Sequence, residues 1–145
     1  MTTIAENMSA DHRRCDEIFA EAEGLIDRDD WSRGAPIFIN FRDGMEHHFS
    51  MEESVLFPSF EERVGQTMGP TQMMRMEHTQ MRQLFTDMAQ AVEQRDRERY
   101  LGLSETLMMI MQQHNMKEEQ MLYRMIDQAF GPESGELIEK MSQVE

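Results

Sequence analysis

Cationic side chains are scarce in this chain. Against 28 aspartates and glutamates stand only 14 lysines and arginines, a formal net charge of −14. Such a surface repels phosphates, which argues against nucleic acid or an anionic membrane as the principal partner. There is one cysteine. No internal disulfide can form, as suits a reducing, cytoplasmic setting. No apolar run approaches the ~20 residues needed to cross a bilayer. The opening MTTIAENMSADH has no basic segment followed by an apolar one, so no signal peptide is expected. There is no CxxC, no GxSxG, no HExxH and no glycine-rich phosphate loop. Those absences remove common signatures of thiol redox, serine hydrolase, zinc peptidase and nucleotide-binding chemistry.

Prolines and glycines are few, four and eight in 145 residues, and they fall as breakers between long periodic segments. A length of 145 residues suits one domain, 1–145, with one real core. From Ser9, a plausible N-cap, His12, Phe19, Ala22 and Ile26 recur at helical spacing up to Asp27. The stretch Asp29–Pro36 reads as a loop, with Pro36 near the first turn of the next helix. A second helix carries Ile37, Phe41, Met45, His48 and Glu52 on one stripe. Pro58 is expected to end or kink it, and Gly65–Pro70 makes the next break. A third, Thr71–Glu93, turns Met74, His78, Met81, Phe85, Met88 and Val92 inward. Asp96 caps a fourth, whose inner face is Leu103, Leu107, Ile110, Met111, His114, Glu118, Met121 and Met125. Gly131-Pro132 stops it, and GELIEK adds a short C-terminal helix. No alternating strand pattern occurs. The expected fold is all-α, an up-down-up-down four-helix bundle.

Within that frame the chain repeats itself. His48 and Glu52, four apart, share one face of a helix. His114 and Glu118 repeat the pair 66 residues later, and Glu53/Glu119 and Leu56/Leu122 follow in step. The same offset carries His12 onto His78 and DHRRCDEIF onto EHTQMRQLF. His47 alone of the five histidines has no counterpart, and it points about 100° away from His48, toward solvent. Each copy thus supplies two imidazoles and a carboxylate. Brought to one level of the core without a cation, they would be costly to bury. A pair of divalent ions resolves this: His12 and His48 on one, His78 and His114 on the other, Glu52 and Glu118 bridging. Mixed imidazole and carboxylate donors suit iron, with manganese or zinc compatible. Shared carboxylates hold two ions roughly 3.5–4 Å apart.

These residues resemble the hemerythrin-like HHE cation-binding family, whose pattern runs His, HxxxE, His, and then HxxxE or HxxxxD, on four helices. His12, His48-Glu52, His78 and His114-Glu118 match it in order, and the flanks HFSMEESVLFP, MRMEHTQ and HNMKEEQMLY look like the family. The resemblance implies a non-heme di-iron centre, two iron ions with an oxo bridge within the family's range. It departs from the oxygen carriers at Arg82, where they place a further histidine, and at Glu118, where they place an aspartate one residue later. The ligand order is similar to that of di-iron proteins linked to iron–sulfur cluster repair under nitrosative stress, without their cysteine-bearing N-terminal segment. Three functions are implied: oxidoreduction of a small oxidant (O2, H2O2 or NO), reversible O2 or NO binding for storage or sensing, and iron donation to cluster repair. Ferritin-type oxidation is disfavoured, because no ExxH occurs.

Four residues are expected beside the ligands. Asp16 and Arg82, counterparts in the repeat and one turn beyond His12 and His78, are expected either to pair and plug one end of the centre or to point outward to solvent on their helices. Gly44, one turn before His48, is expected either to open a path for small molecules or to mark a close helix contact. Cys15 reads as a small buried hydrophobe. Of the 17 methionines, most read as core filler, with Met45, Met74, Met81 and Met111 near enough the histidines to absorb stray oxidant.

Overall fold

The computed structural model describes residues 2–145. Helix α1 spans Ile4–Asp27, five residues longer than its expected start at Ser9. Thr3 caps it, its hydroxyl accepting from the Glu6 amide at 3.0 Å. The Asp127 carboxylate takes the amides of Ile4 and Ala5 at 2.8 and 3.0 Å. That second cap comes from 122 residues away along the chain, so local pattern could not reveal it. Ile4 and Met8 simply continue the inner stripe of His12, Cys15 and Phe19 toward the N-terminus.

The expected loop 29–36 contracts to a tight turn. Asp29 takes a left-handed conformation, φ 57°, and Asp30 caps α2 (Trp31–Met51) from the Arg33 amide. Pro36 therefore lies inside α2 rather than in its first turn. A Cβ on Gly34 would stand 2.8 Å from Ile26 Cγ1 and 3.3 Å from Leu25 Cβ. Glycine is needed here because the end of α1 lies directly on α2. The turn recurs 66 residues on, where Arg95 has φ 51° and Asp96 caps α5 (Arg97–Lys117).

Pro58 does not end the second helix. At Glu52–Leu56 the backbone widens into a π turn, with the Phe57 amide bonded to the Glu52 carbonyl, and α3 (Phe57–Val64) continues it. Gly65, φ 70°, stops the run. After α4 (Pro70–Glu93) and α5, the same widening occurs at Glu118–Leu122 and leads into α6 (Tyr123–Phe130). Arg124 there holds the place of Pro58, so proline is not the cause. Each π turn adds about one residue to a turn, and each added residue rotates the downstream helical face by roughly 100°. Met121 and Met125, expected inward, are therefore 61% and 40% exposed, while Leu122, Tyr123 and Ile126 fill the core. A smaller offset occurs early in α2, where Phe38 is fully buried and Ile37 only partly.

Helix α1 packs on α2 and α5, and α4 packs on the same two, so α1 and α4 stand on opposite corners of the bundle. A 3-10 turn (Gly131–Glu133) leads to the short C-terminal helix α7 (Ser134–Ser142), which lies against α1 and the first π turn. No strand occurs among the described residues. The result is an all-α, up-down-up-down bundle with two apolar clusters. One runs from Cys15, Phe41 and Phe85 to Tyr100, and the other from Ile4, Phe57 and Tyr123 to Met141.

Candidate metal centre

Four histidines, one from each long helix, converge in the polar layer between those clusters. His12, His48, His78 and His114 are all buried, and Glu52 and Glu118, the first residues of the two π turns, have no exposure at all. Their donor atoms form two groups, Glu52–His78–His114–Glu118 and His12–His48–Glu118, with all atoms of each group within 4.8 Å of one another. His12 Nε2 lies 3.1 Å from Glu118 Oε1, His114 Nε2 3.2 Å from the same oxygen, and His78 Nε2 3.1 Å from Glu52 Oε1.

Every imidazole is backed by a carboxylate on its outer nitrogen. His12 Nδ1 meets Glu119 at 2.6 Å, His48 Nδ1 meets Asp11 at 2.8 Å, and His78 and His114 meet Glu53 and Glu77, each at 2.7 Å. Such a partner holds the proton on Nδ1 and turns the Nε2 lone pair toward a metal. The four carboxylates obey the repeat, Asp11 with Glu77 and Glu53 with Glu119. The signal was therefore in the sequence, immediately beside the candidate ligands. Burial raises the Asp11 carboxyl, but hydrogen bonds and charge from His48 and Arg14 outweigh it and hold it at about 2. Burial also opposes ionisation of Glu53, and there His78 and Arg82 prevail, again at about 2. Burial pushes the His48 imidazole down to about 4. Between the inner carboxylates, burial and the neighbouring Glu118 charge push Glu52 far up. Burial works against Glu118 too, but the nearby His114 charge and the hydrogen bond with His12 hold it far down.

Glu52 Oε1, Glu118 Oε2, His78 Nε2 and His114 Nε2 are buried and make no hydrogen bond among the described residues. Native proteins rarely leave such atoms unsatisfied. Nitrogen and oxygen donors pointing at common centres, with hydrogen-bonded carboxylates behind them, are the donor set of a divalent metal centre. Residues 3–126 match the hemerythrin HHE cation-binding domain. The chain belongs to that family. No curated protein and no solved structure matches it.

Several expectations around this hemerythrin centre are corrected. Asp16 and Arg82 do not pair. Asp16 is exposed, and the Arg82 guanidinium grips Glu53 through both terminal nitrogens at 2.9 and 3.0 Å, with Nε on Glu46 at 3.1 Å. The diagonal placement of α1 and α4 keeps the two side chains on different outer faces, and Glu53 is the nearer anion. Gly44 faces α1 closely: a Cβ there would stand in ordinary contact with the Arg14 guanidinium and Cys15 Sγ, each at 3.5 Å. It marks the contact of α1 with α2. Cys15 is buried in the upper core, where burial pushes its thiol up to about 12. His47 is partly covered, its Nε2 3.0 Å from the Val144 carbonyl. Met45, Met74, Met81 and Met111 are all buried near the centre. Tyr123, which the sequence pattern did not single out, places its hydroxyl among these histidines and carboxylates. Burial and the charges of Glu118 and Glu52 push it well above the usual phenol range. No described helix is long and apolar enough to cross a membrane.

Proposed function

We propose that this hemerythrin domain carries two iron ions and reacts through them with a small oxidant, O2, H2O2 or NO. His12 and His48 would hold one ion and His78 and His114 the other, with Glu52 and Glu118 as the carboxylate ligands. Manganese or zinc would fit the same donors. The observation that carries the reading is the convergence of six buried donors, with all four histidines backed by carboxylates. Iron here would supply electrons to the oxidant. The chain's own residues would do the rest. Asp11, Glu53, Glu77 and Glu119 keep the Nδ1 protons in place, and Phe49 and Phe57 exclude water on the His78 side, where Phe49 stacks on the imidazole at 3.9 Å. The burial of every ligand favours chemistry in place over iron donation, which would have to strip ligands from a closed core.

The test is to load the protein with iron, reduce it anaerobically and mix it with each oxidant in a stopped-flow spectrometer. Prompt reoxidation with loss of oxidant over many turnovers supports an oxidoreductase. A stable adduct reversed by evacuation supports storage or sensing instead. Failure to retain iron refutes the di-iron reading.

A further inference from the structure

The repeat that builds the centre breaks at one buried position beside it. Tyr123 stands 66 residues after Phe57. Each is the first residue of the helix after its π turn, and each is fully buried. Phe57 lies near His78, ring centroids 5.9 Å apart, and Tyr123 lies near His12 at 5.7 Å. The two rings hold equivalent places in the two halves of the centre, but only one carries an oxygen.

That oxygen is surrounded by candidate ligand atoms. Tyr123 Oη is 2.8 Å from Glu52 Oε2 and 2.8 Å from Glu118 Oε1. It is 3.2 Å from His12 Nε2 and 3.2 Å from His48 Nε2. A phenol donates one hydrogen bond and can accept others, but with the His12 and His48 protons held on Nδ1 the two imidazole nitrogens and two carboxylate oxygens all compete for that one proton. Imidazole and carboxylate donors sit about 2.1 Å from a small divalent ion, and octahedral neighbours at right angles are then about 3 Å apart. Tyr123 Oη keeps that spacing from all four.

We propose that Tyr123 is itself a ligand, its oxygen bound to the ion between His12 and His48. This rests on the di-iron reading for the identity of the ion. The phenol O–H bond breaks as the metal–oxygen bond forms, and the proton leaves to solvent; no electron moves. The two halves of the centre then differ. The His12–His48 half gains an anionic oxygen. The His78–His114 half faces Phe57 and Phe49, neither of which can ligate, and it keeps the position where a small oxidant enters. Phe49 in turn has Asn115 as its counterpart, so the aromatic wall belongs to the His78 half alone.

Phenolate bound to iron(III) absorbs visible light by charge transfer, whereas hydrogen-bonded phenol does not. The iron(III) protein should show such a band, and resonance Raman excited within it should show phenolate ring modes. Tyr123→Phe should remove band and modes while still binding two irons by metal analysis. Tyr100 is the other tyrosine, so Tyr100→Phe should leave both intact. Ring-deuterated tyrosine in the wild-type protein, which shifts the modes if a phenolate is bound, gives the answer even if Tyr123→Phe does not fold. Two bound irons with no phenolate modes, or modes that persist in Tyr123→Phe, overturn the ligand assignment alone. No bound iron overturns the di-iron reading with it.

Discussion

At the residue scale, the centre depends on groups that never face the metal position. Glu53 orients His78 and is itself gripped by Arg82, whose guanidinium also lies over the Phe49 ring at 5.1 Å. Replacing the outer partner of a ligand histidine commonly weakens metal binding about 10–100-fold. Glu53→Gln should do so, and Arg82→Ala should cost less, because Arg82 acts only through Glu53. Competition with a chromophoric chelator measures both. Equal affinity in Glu53→Gln and wild type would show that the carboxylate has no such role. The six converging residues were legible in the sequence because metal chemistry demands particular residue types at particular helical spacings, and the chain writes them twice. Asp11, Glu53, Glu77 and Glu119 were legible by the same offset. Tyr123 was not, because it lies where the copies differ. Asp16–Arg82 misled for the opposite reason: positions equivalent in a repeat sit in equivalent places, on opposite sides of the molecule, rather than side by side.

At the element scale, the breakers located the four long helices and the short C-terminal one, but the π turns left no mark in the sequence. Periodicity assumes a constant 3.6 residues per turn, so the inward face beyond Glu118 was read on the wrong stripe. Two element junctions make separate predictions. Gly34→Ala pushes a methyl into Ile26 where α1 meets α2. The cost should be about 1–3 kcal/mol, the usual range for overpacking, read by urea denaturation of the metal-free protein. An unchanged midpoint would mean the helices part freely. Where α3 meets α4, Glu61 accepts from the Thr71 hydroxyl at 2.6 Å and from the Arg75 guanidinium. Burial raises its carboxyl, but Arg75 and Thr71 outweigh that and leave it below the usual range. The folded pKa is thus lower than the unfolded one. Its stabilisation is present above the unfolded value, about 4.3, and lost as pH falls through the folded value. Glu61→Gln should therefore be less stable than wild type at pH 7, with the gap closing as the solution is acidified below about pH 4. A gap that stays constant with pH would exclude ionic stabilisation at this junction.

At the scale of the whole molecule, the centre lies between two apolar clusters rather than at the edge of one. All four long helices contribute a histidine to it, so the same layer that would bind metal also joins the bundle across its middle. Without a cation, that layer buries four imidazoles and two carboxylates and leaves Glu52 Oε1, Glu118 Oε2, His78 Nε2 and His114 Nε2 without partners, which opposes folding. Metal binding then becomes folding free energy. A metal present at about 1,000 times its dissociation constant stabilises by about 4 kcal/mol. For a chain of this length, with roughly 2 cal/mol/K of unfolding entropy per residue, that raises the melting temperature by about 10–15 °C. Calorimetry of the metal-free protein, with and without anaerobic ferrous iron, tests this directly. Glu52→Gln sharpens the result. Glu52 is the inner carboxylate driven toward its neutral form, so the amide should leave the metal-free protein as stable as wild type or more so. It should also remove most of the rise on adding iron. If iron raises the melting temperature of Glu52→Gln as far as that of wild type, or raises neither, the polar layer is not a metal-linked joint between the helices.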